Sequence, residues 1–248
     1  KEVQEDLLKS QTLAAIGHAA AMVGHDLRNP LQAIVNVLYI IEKKIDPYHD
    51  EDIISLLNML SEEVEYMNKI VSDLQDYARP ANPKPSETIL SDLISETLKS
   101  SMIPTNIRVS VEIEDGFPKL LLDQFFTKRA LTNLITNAVQ AMPKGGQLSL
   151  KVNKNEQWAL IIVEDTGIGI SKENLARLFQ PFFTTKARGQ GLGLSVCSKL
   201  IEAQGGTISV DSKEGIGTTF TIRMPLSKAA PKLPEQNLDL LLQESIRE

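Results

Sequence analysis

At 248 residues, 42% of them hydrophobic and 23% charged, the chain is long enough for two domains and too apolar to be disordered. Its single cysteine, Cys197, excludes an intrachain disulfide framework or a cysteine-rich metal site and suits a reducing compartment. The net charge of −6 is uneven: residues 1–80 hold 7 Lys/Arg against 14 Asp/Glu, residues 81–226 hold 16 against 14, and residues 227–248 hold 3 against 4, a balance without the positive stripe of a nucleic-acid binder.

The first element is a long helix. Leu13, Ile16, Ala20, Val23 and Leu27 follow 3-4 spacing, as do Leu31, Ile34, Leu38, Ile41 and Ile45, with an extra step of four between the two sets. That stutter locally unwinds a coiled coil, and it brackets His25 and Pro30, where proline also bends the helix. After a turn near 46–52, Ile53, Leu57, Leu60, Val64, Met67, Val71, Leu74 and Ala78 keep an unbroken 4-3 rhythm. Two such helices make a hairpin. Ile54, Leu56, Ile70 and Tyr77 widen the apolar stripe beyond what one partner helix covers, so residues 1–80 are expected to form half of a four-helix bundle completed by a second copy.

Pro80, Pro83 and Pro85 end this all-α hairpin and mark 81–86 as a linker. Residues 87–226 then mix helices (near 87–101, 124–141 with Asp123 as cap, and 192–204) with strands near 107–113, 119–122, 147–153, 158–164, 206–212 and 218–224. Helices grouped about a largely antiparallel sheet predict an α+β sandwich. The segment 227–248, with Pro231 and Pro234 ahead of Leu238, Leu241, Leu242 and Ile246, reads as a solvated extension. No apolar run approaches the roughly 20 residues of a membrane span. Because Lys1 already lies inside a helical pattern, the chain reads as a cytoplasmic piece of a longer protein, with membrane attachment only through a preceding region.

His25 lies two positions from both Val23 and Leu27, about 200° round the helix at 100° per residue, so it faces away from the seam. A neutral imidazole is nucleophilic, Asp26 beside it can orient it or take its proton, and Asn29 one turn on can align a water. His18 and His49 lack such a setting. Asn133 and Asn137, four residues apart, share one helix face, and their amide oxygens suit a hard cation that arrives with phosphates. Asp165 closes a strand and can accept from an exocyclic amine, while Gly167 and Gly169 let backbone approach a flat ring. In FQPFFTTKARGQGLGL, Gly189, Gly191 and Gly193 lead into a helix whose amides can meet an anion, with Lys186 and Arg188 to complement phosphate. Phe179, Phe182 and Phe183 read as anchors of a lid. The spacing is not that of a P-loop. Trp158 and Cys197 read as packing residues.

Taken together, residues 1–226 resemble the catalytic portion of a two-component sensor histidine kinase. HDLRNPL at 25–31 is similar to its phosphoacceptor box, NLITNA at 133–138 to its N box and DTGIG at 165–169 to its first glycine box. FQPFF at 179–183 is similar to its F box and GQGLGL at 189–194, ending in Leu194, to its second glycine box. The resemblance implies a dimerisation and phosphotransfer hairpin, then an ATP-binding sandwich of the Bergerat (GHKL) type shared with gyrase, Hsp90 and MutL. It implies that His25 is phosphorylated from Mg2+–ATP with Asp26 as partner, and that Asn29 aligns water for dephosphorylation. By the same match Asn133 and Asn137 hold Mg2+–ATP, Asp165 reads adenine, Thr218 supports it through water, and the lid from Lys186 to Gly193 covers the phosphates. A response regulator receiver domain is the implied partner. Two residues depart from the family pattern: Gln140 stands where Lys or His often contacts phosphate, and Gln190 replaces a threonine. A regulator phosphatase or scaffold that merely binds ATP is the rival reading, and an ATPase driving conformational work the third.

Overall fold

The computed structural model describes residues 27, 31–41, 43, 51–186 and 190–226. The predicted phosphoacceptor residues His25, Asp26 and Asn29, together with Arg188, Gly189 and the 227–248 extension, lie outside the described residues. Helix α1 covers 31–41 and helix α2 runs Glu51–Ala78. They pack through Leu31 and Leu38 of α1 against Leu57, Val64 and Val71 of α2, with Val35 beside them. Those three α2 positions are seven apart and form one edge of the seam. The other edge, Ile53, Leu60 and Met67, is exposed in the single chain, as are Ile34, Val37, Ile40 and Ile41 of α1.

Between α2 and the sandwich the chain is held rather than loose. Strand β1 (Ser86–Thr88) pairs antiparallel with β3 (Leu120–Leu122). The Lys84 backbone amide donates to Asp123 Oδ2 at 2.6 Å, while Asp123 Oδ1 accepts from the Phe126 amide at 3.0 Å and caps α4 (Gln124–Ala141). The helix predicted from 87 therefore begins later, as α3 (Leu90–Ser100), because β1 claims the first residues. Leu90, Leu93, Ile94 and Thr97 form its buried stripe at i, i+3, i+4 and i+7.

The main sheet has the order β2-β4-β5-β7-β6, built from Ile107–Ile113, Gly146–Lys154, Trp158–Asp165, Gly217–Pro225 and Thr207–Lys213. Only β2 and β4 run parallel; the other pairs are antiparallel. Alternation puts Leu148, Leu150 and Val152, then Ala159, Ile161 and Val163, then Phe220, Ile222 and Met224 on one buried face. Helix α4 covers that face with Leu131, Leu134, Ile135 and Ala138, and α6 (Gly193–Glu202) adds Cys197 and Ile201. The outer face is mostly polar, with Lys151 and Glu164 paired at 3.0 Å, but it also carries Trp158, Leu160 and Ile162 of β5, half-buried. This is the predicted α+β sandwich following a helical hairpin. A four-residue helix, α5 (Lys172–Leu175), falls between the two glycine turns and was not expected, being too short to carry a periodic signature. Among the described residues no helix is long and apolar enough to cross a membrane.

Candidate active site

The sheet and α4 bring four separated stretches of sequence to one edge of the sandwich. Asp165 ends β5 almost fully buried, directly across the ladder from Thr218 of β7. Burial pushes its carboxyl above the ordinary value, and the backbone amides of Gly167 and Thr218 oppose that by donating to it. The Gly167 amide reaches Oδ1 at 2.8 Å. A side chain at Gly167 would run into Ala141 O at 2.6 Å, so glycine is what lets this turn lie against the end of α4. The Ile168 amide then donates to that same Ala141 carbonyl at 3.0 Å, and Gly169 takes a left-handed φ of 68°. Ser212 of β6 shares a hydrogen bond with Thr218 Oγ1 at 2.9 Å and accepts one from the Ile170 amide at 2.9 Å. Ser212 carries no sequence motif; strand register alone sets it beside Thr218.

Asn133 and Asn137 do share one side of α4, but they meet different partners. Asn133 is buried, and its Nδ2 donates to Gly193 O at 3.3 Å, which ties α4 to the first turn of α6. A Cβ added at Gly193 would lie 3.6 Å from Asn133 Oδ1, an ordinary van der Waals contact, so space alone does not require glycine at this position. Asn137 Oδ1 accepts from Lys186 Nζ at 2.8 Å, and Gln140 Oε1 accepts from the same nitrogen at 2.6 Å. Lys186, in the segment after Phe183, thus reaches back to α4. Lys186 is exposed as a residue, yet desolvation of its ammonium beside α4, with Lys69 of α2 adding repulsion and Asp165 opposing, brings its pKa down to about 8. Gln140, where sequence offered no cation, receives one from the lid.

Beyond Lys186 the chain returns at Gln190, and Gly191 takes a left-handed φ of 67° against the backbone of Phe182 and Phe183. Leu192 is buried and Leu194 is partly buried against the core. The N-cap of α6, Leu192, makes no side-chain cap bond, leaving the first amides of the helix to be met by an acceptor from elsewhere. Of the phenylalanines, Phe179 packs on the core, Phe183 lies under the Arg177 guanidinium at 4.5 Å, and Phe182 is half exposed. Buried Cys197 has its thiol pushed up to about 12 by desolvation and is inert packing.

The oxygens of Asn137 and Gln140 already hold an ammonium, so this edge of α4 is chemically fit for a cation. Among the described residues no cluster of three or more His, Cys, Asp or Glu could hold a metal by itself. A divalent ion here has to bring its charge balance with the ligand, as a metal–polyphosphate does.

Comparison with known proteins agrees with this arrangement. Residues 15–83 match the His Kinase A (phospho-acceptor) domain, and residues 122–228 match the histidine kinase-, DNA gyrase B- and HSP90-like ATPase. The chain belongs to the histidine kinases. The two matched regions are the phospho-acceptor and ATPase-like parts of that family. It is 31% identical over 234 residues to sporulation kinase E of Bacillus subtilis, 93% of this chain and 31% of that protein. It is 32% identical over 228 residues to sensor histidine kinase ZraS of Escherichia coli K12, 91% of this chain and 49% of that protein. The chain therefore spans half or less of these relatives' own length. Among solved structures, full-length ShkA in complex with AMPPNP superposes with a TM-score of 0.71 at 25% identity, over 86% of this chain and 46% of ShkA. Histidine kinase ThkA in complex with the response regulator protein TrrA gives 0.62 at 25% identity, over 91% of this chain and 66% of ThkA.

Proposed function

We propose that this histidine kinase phosphorylates its own His25 from Mg2+–ATP and passes the phosphoryl group to an aspartate of a response regulator receiver domain. The observation that carries the reading is Lys186 bridging to Asn137 and Gln140 beside buried Asp165, a cation-ready pocket at the opening of a glycine-bounded lid. Asp165 would accept from the adenine amine, with Thr218 and Ser212 holding that end. Asn133 and Asn137 would hold Mg2+, which supplies charge neutralisation to the triphosphate. Lys186, the Gly189–Gly191–Gly193 backbone and the open start of α6 would receive the phosphates. At His25 a ring nitrogen forms a bond to the terminal phosphorus, the bond to the bridging oxygen breaks, and ADP departs with that electron pair. The proton of the other ring nitrogen passes to Asp26. Reversal of the signal would use Asn29 to align a water against the phosphorylated regulator.

Support for a homodimer comes from the open seam edge of α1 and α2, an apolar stripe that a second hairpin would bury. The regulator as partner is supported by ThkA, whose solved complex contains one. Incubation of the purified chain with γ-labelled ATP should give acid-labile label on His25. Replacement His25→Gln should remove it, leaving nucleotide affinity within about twofold, because the nucleotide is assigned to residues of the sandwich. Label persisting at the unmodified rate in H25Q would refute the assignment.

A further inference from the structure

Polar side chains line up across three neighbouring strands at the end of the sheet next to the Gly167 turn. Asp165 of β5 stands opposite Thr218 of β7, and Thr218 stands opposite Ser212 of β6. They share the parity of Val163, Phe220 and Val210, so all of them lie on the face that α4 covers. Asp165 and Thr218 are buried, and Ser212 is half-buried behind them.

A serine hydroxyl has one hydrogen to give and two lone pairs to offer. Ser212 Oγ accepts from the Ile170 amide at 2.9 Å, and it lies 2.8 Å from Gly217 O and 2.9 Å from Thr218 Oγ1. A carbonyl only accepts, so the Ser212 hydrogen belongs to Gly217; aimed elsewhere, it would leave two oxygens meeting through lone pairs at 2.8 Å. What remains on Ser212 is one place for a donor, and the Thr218 hydroxyl fills it.

With its hydrogen committed to Ser212, Thr218 presents only lone pairs to a ligand. The Asp165 carboxylate, which takes the Gly167 amide at 2.8 Å, presents lone pairs as well. Two acceptors side by side suit a ligand edge with two hydrogens on one nitrogen, as on a 6-aminopurine. A 6-oxopurine would set its own lone pairs against both and leave buried acceptors unpaired.

We propose that Ser212 is a specificity-determining positioning residue: by taking the Thr218 hydrogen it fixes that hydroxyl as an acceptor, so that this end of the pocket selects an aminopurine over an oxopurine. The inference rests on the adenine-nucleotide part of the reading above and adds the residue that sets the polarity of that end. Ser212 acts through Thr218 and not on the base. Its effect therefore shows in the ratio of two nucleotides rather than in binding as such.

The test is calorimetric binding of ADP, inosine diphosphate and purine riboside diphosphate, each with Mg2+, to the whole chain. Inosine diphosphate has an oxygen where ADP has its amine; purine riboside diphosphate has a hydrogen there, which removes the donors without adding lone pairs. The unmodified chain should prefer ADP over inosine diphosphate by roughly 30- to 300-fold, with purine riboside diphosphate between them. Ser212→Ala lets the Thr218 hydroxyl turn and donate, and should shrink the ADP-to-inosine ratio by roughly 5- to 10-fold. Ser212→Thr keeps the hydroxyl and should restore the ratio. Ser212→Cys, a weaker acceptor, should shift it in the same direction as S212A by less, and guards against misfolding of S212A. Thr218→Val should lower the ratio too, and adding S212A to T218V should change it no further. Equal binding of ADP and inosine diphosphate by the unmodified chain overturns the assignment. So does S212A or S212C weakening all the ligands alike, as a merely structural serine would. A ratio unmoved in T218V also overturns it, since a water between Thr218 and the base can turn to suit either edge. Failure of the unmodified chain to bind any of these nucleotides would fault the nucleotide site itself, whereas ADP binding with an unmoved ratio faults only the part given to Ser212.

Discussion

Along β5 and along α2, apolar residues of the same kinds meet different surroundings. In β5, Ala159, Ile161 and Val163 are all sealed by α4, α6 and the neighbouring strands. In α2 only every second seam residue is sealed: Leu57 is 6% exposed and Val64 3%, whereas Leu60 is 52% exposed. The sandwich finishes its core within one chain, while the hairpin finishes half of one. Stability of the first should be a property of the molecule, and stability of the second a property of its concentration.

The sharpest way to break that comparison is to damage each core in turn. Leu134→Ala empties a fully buried site between α4 and the sheet and should cost about 2–5 kcal/mol. The loss should appear as a lower sandwich melting temperature that does not change when protein concentration changes. Leu60→Glu removes nothing from the single-chain core. It should instead weaken self-association by roughly 10- to 100-fold, because a carboxylate would face the apolar edge of the second hairpin. Sedimentation of L60E against the unmodified chain reads this directly, and an unaltered dimer would place the interface elsewhere. Asp123→Ala comes next in size. It takes away both the cap of α4 and the acceptor for Lys84, and about 1–2 kcal/mol of stability should go with it. Hydrogen exchange should quicken in β1 and the first turn of α4 without spreading into β5.

Much of this division was legible in the sequence. The heptad steps of α2 gave its position, and the apolar run Leu160–Val163 closed by Asp165 marked a strand, though only the fold shows that alternate residues of it are sealed. Motif spacing named Asn133, Asn137, Asp165 and Lys186 before any geometry was available, and the structure gathers those four at one edge. What stayed hidden depends on pairs distant in sequence. Strand β1 exists because three residues find a partner at Leu120–Leu122, and no local pattern announces that. Ser212 reaches Thr218 through register alone, and Arg129 and Lys199 stand in no motif, their partners on α2 being distant in sequence. Gln140 read as a missing phosphate contact because its partner arrives from the lid, 46 residues later.

Lys186 carries the smallest prediction and the one that reports on the pocket most directly. Its pKa is about 8 in the folded chain, against the ordinary 10.5 expected once unfolded. Between those values the unfolded chain holds more protons than the folded one, so stability contributed by this group rises with pH across the window; below about pH 8 its desolvated charge works against the fold. Nucleotide should reverse the order, because phosphates beside the ammonium favour its charged form. Affinity for AMPPNP should therefore fall by a few-fold as pH rises through 8, and binding near pH 8.5 should take up a fraction of a proton. Calorimetry in two buffers of different ionisation enthalpy measures that uptake. Lys186→Met should bind more weakly at every pH and take up none; uptake persisting in K186M would assign the titration to another group and leave the bridge to Asn137 and Gln140 without a part in binding.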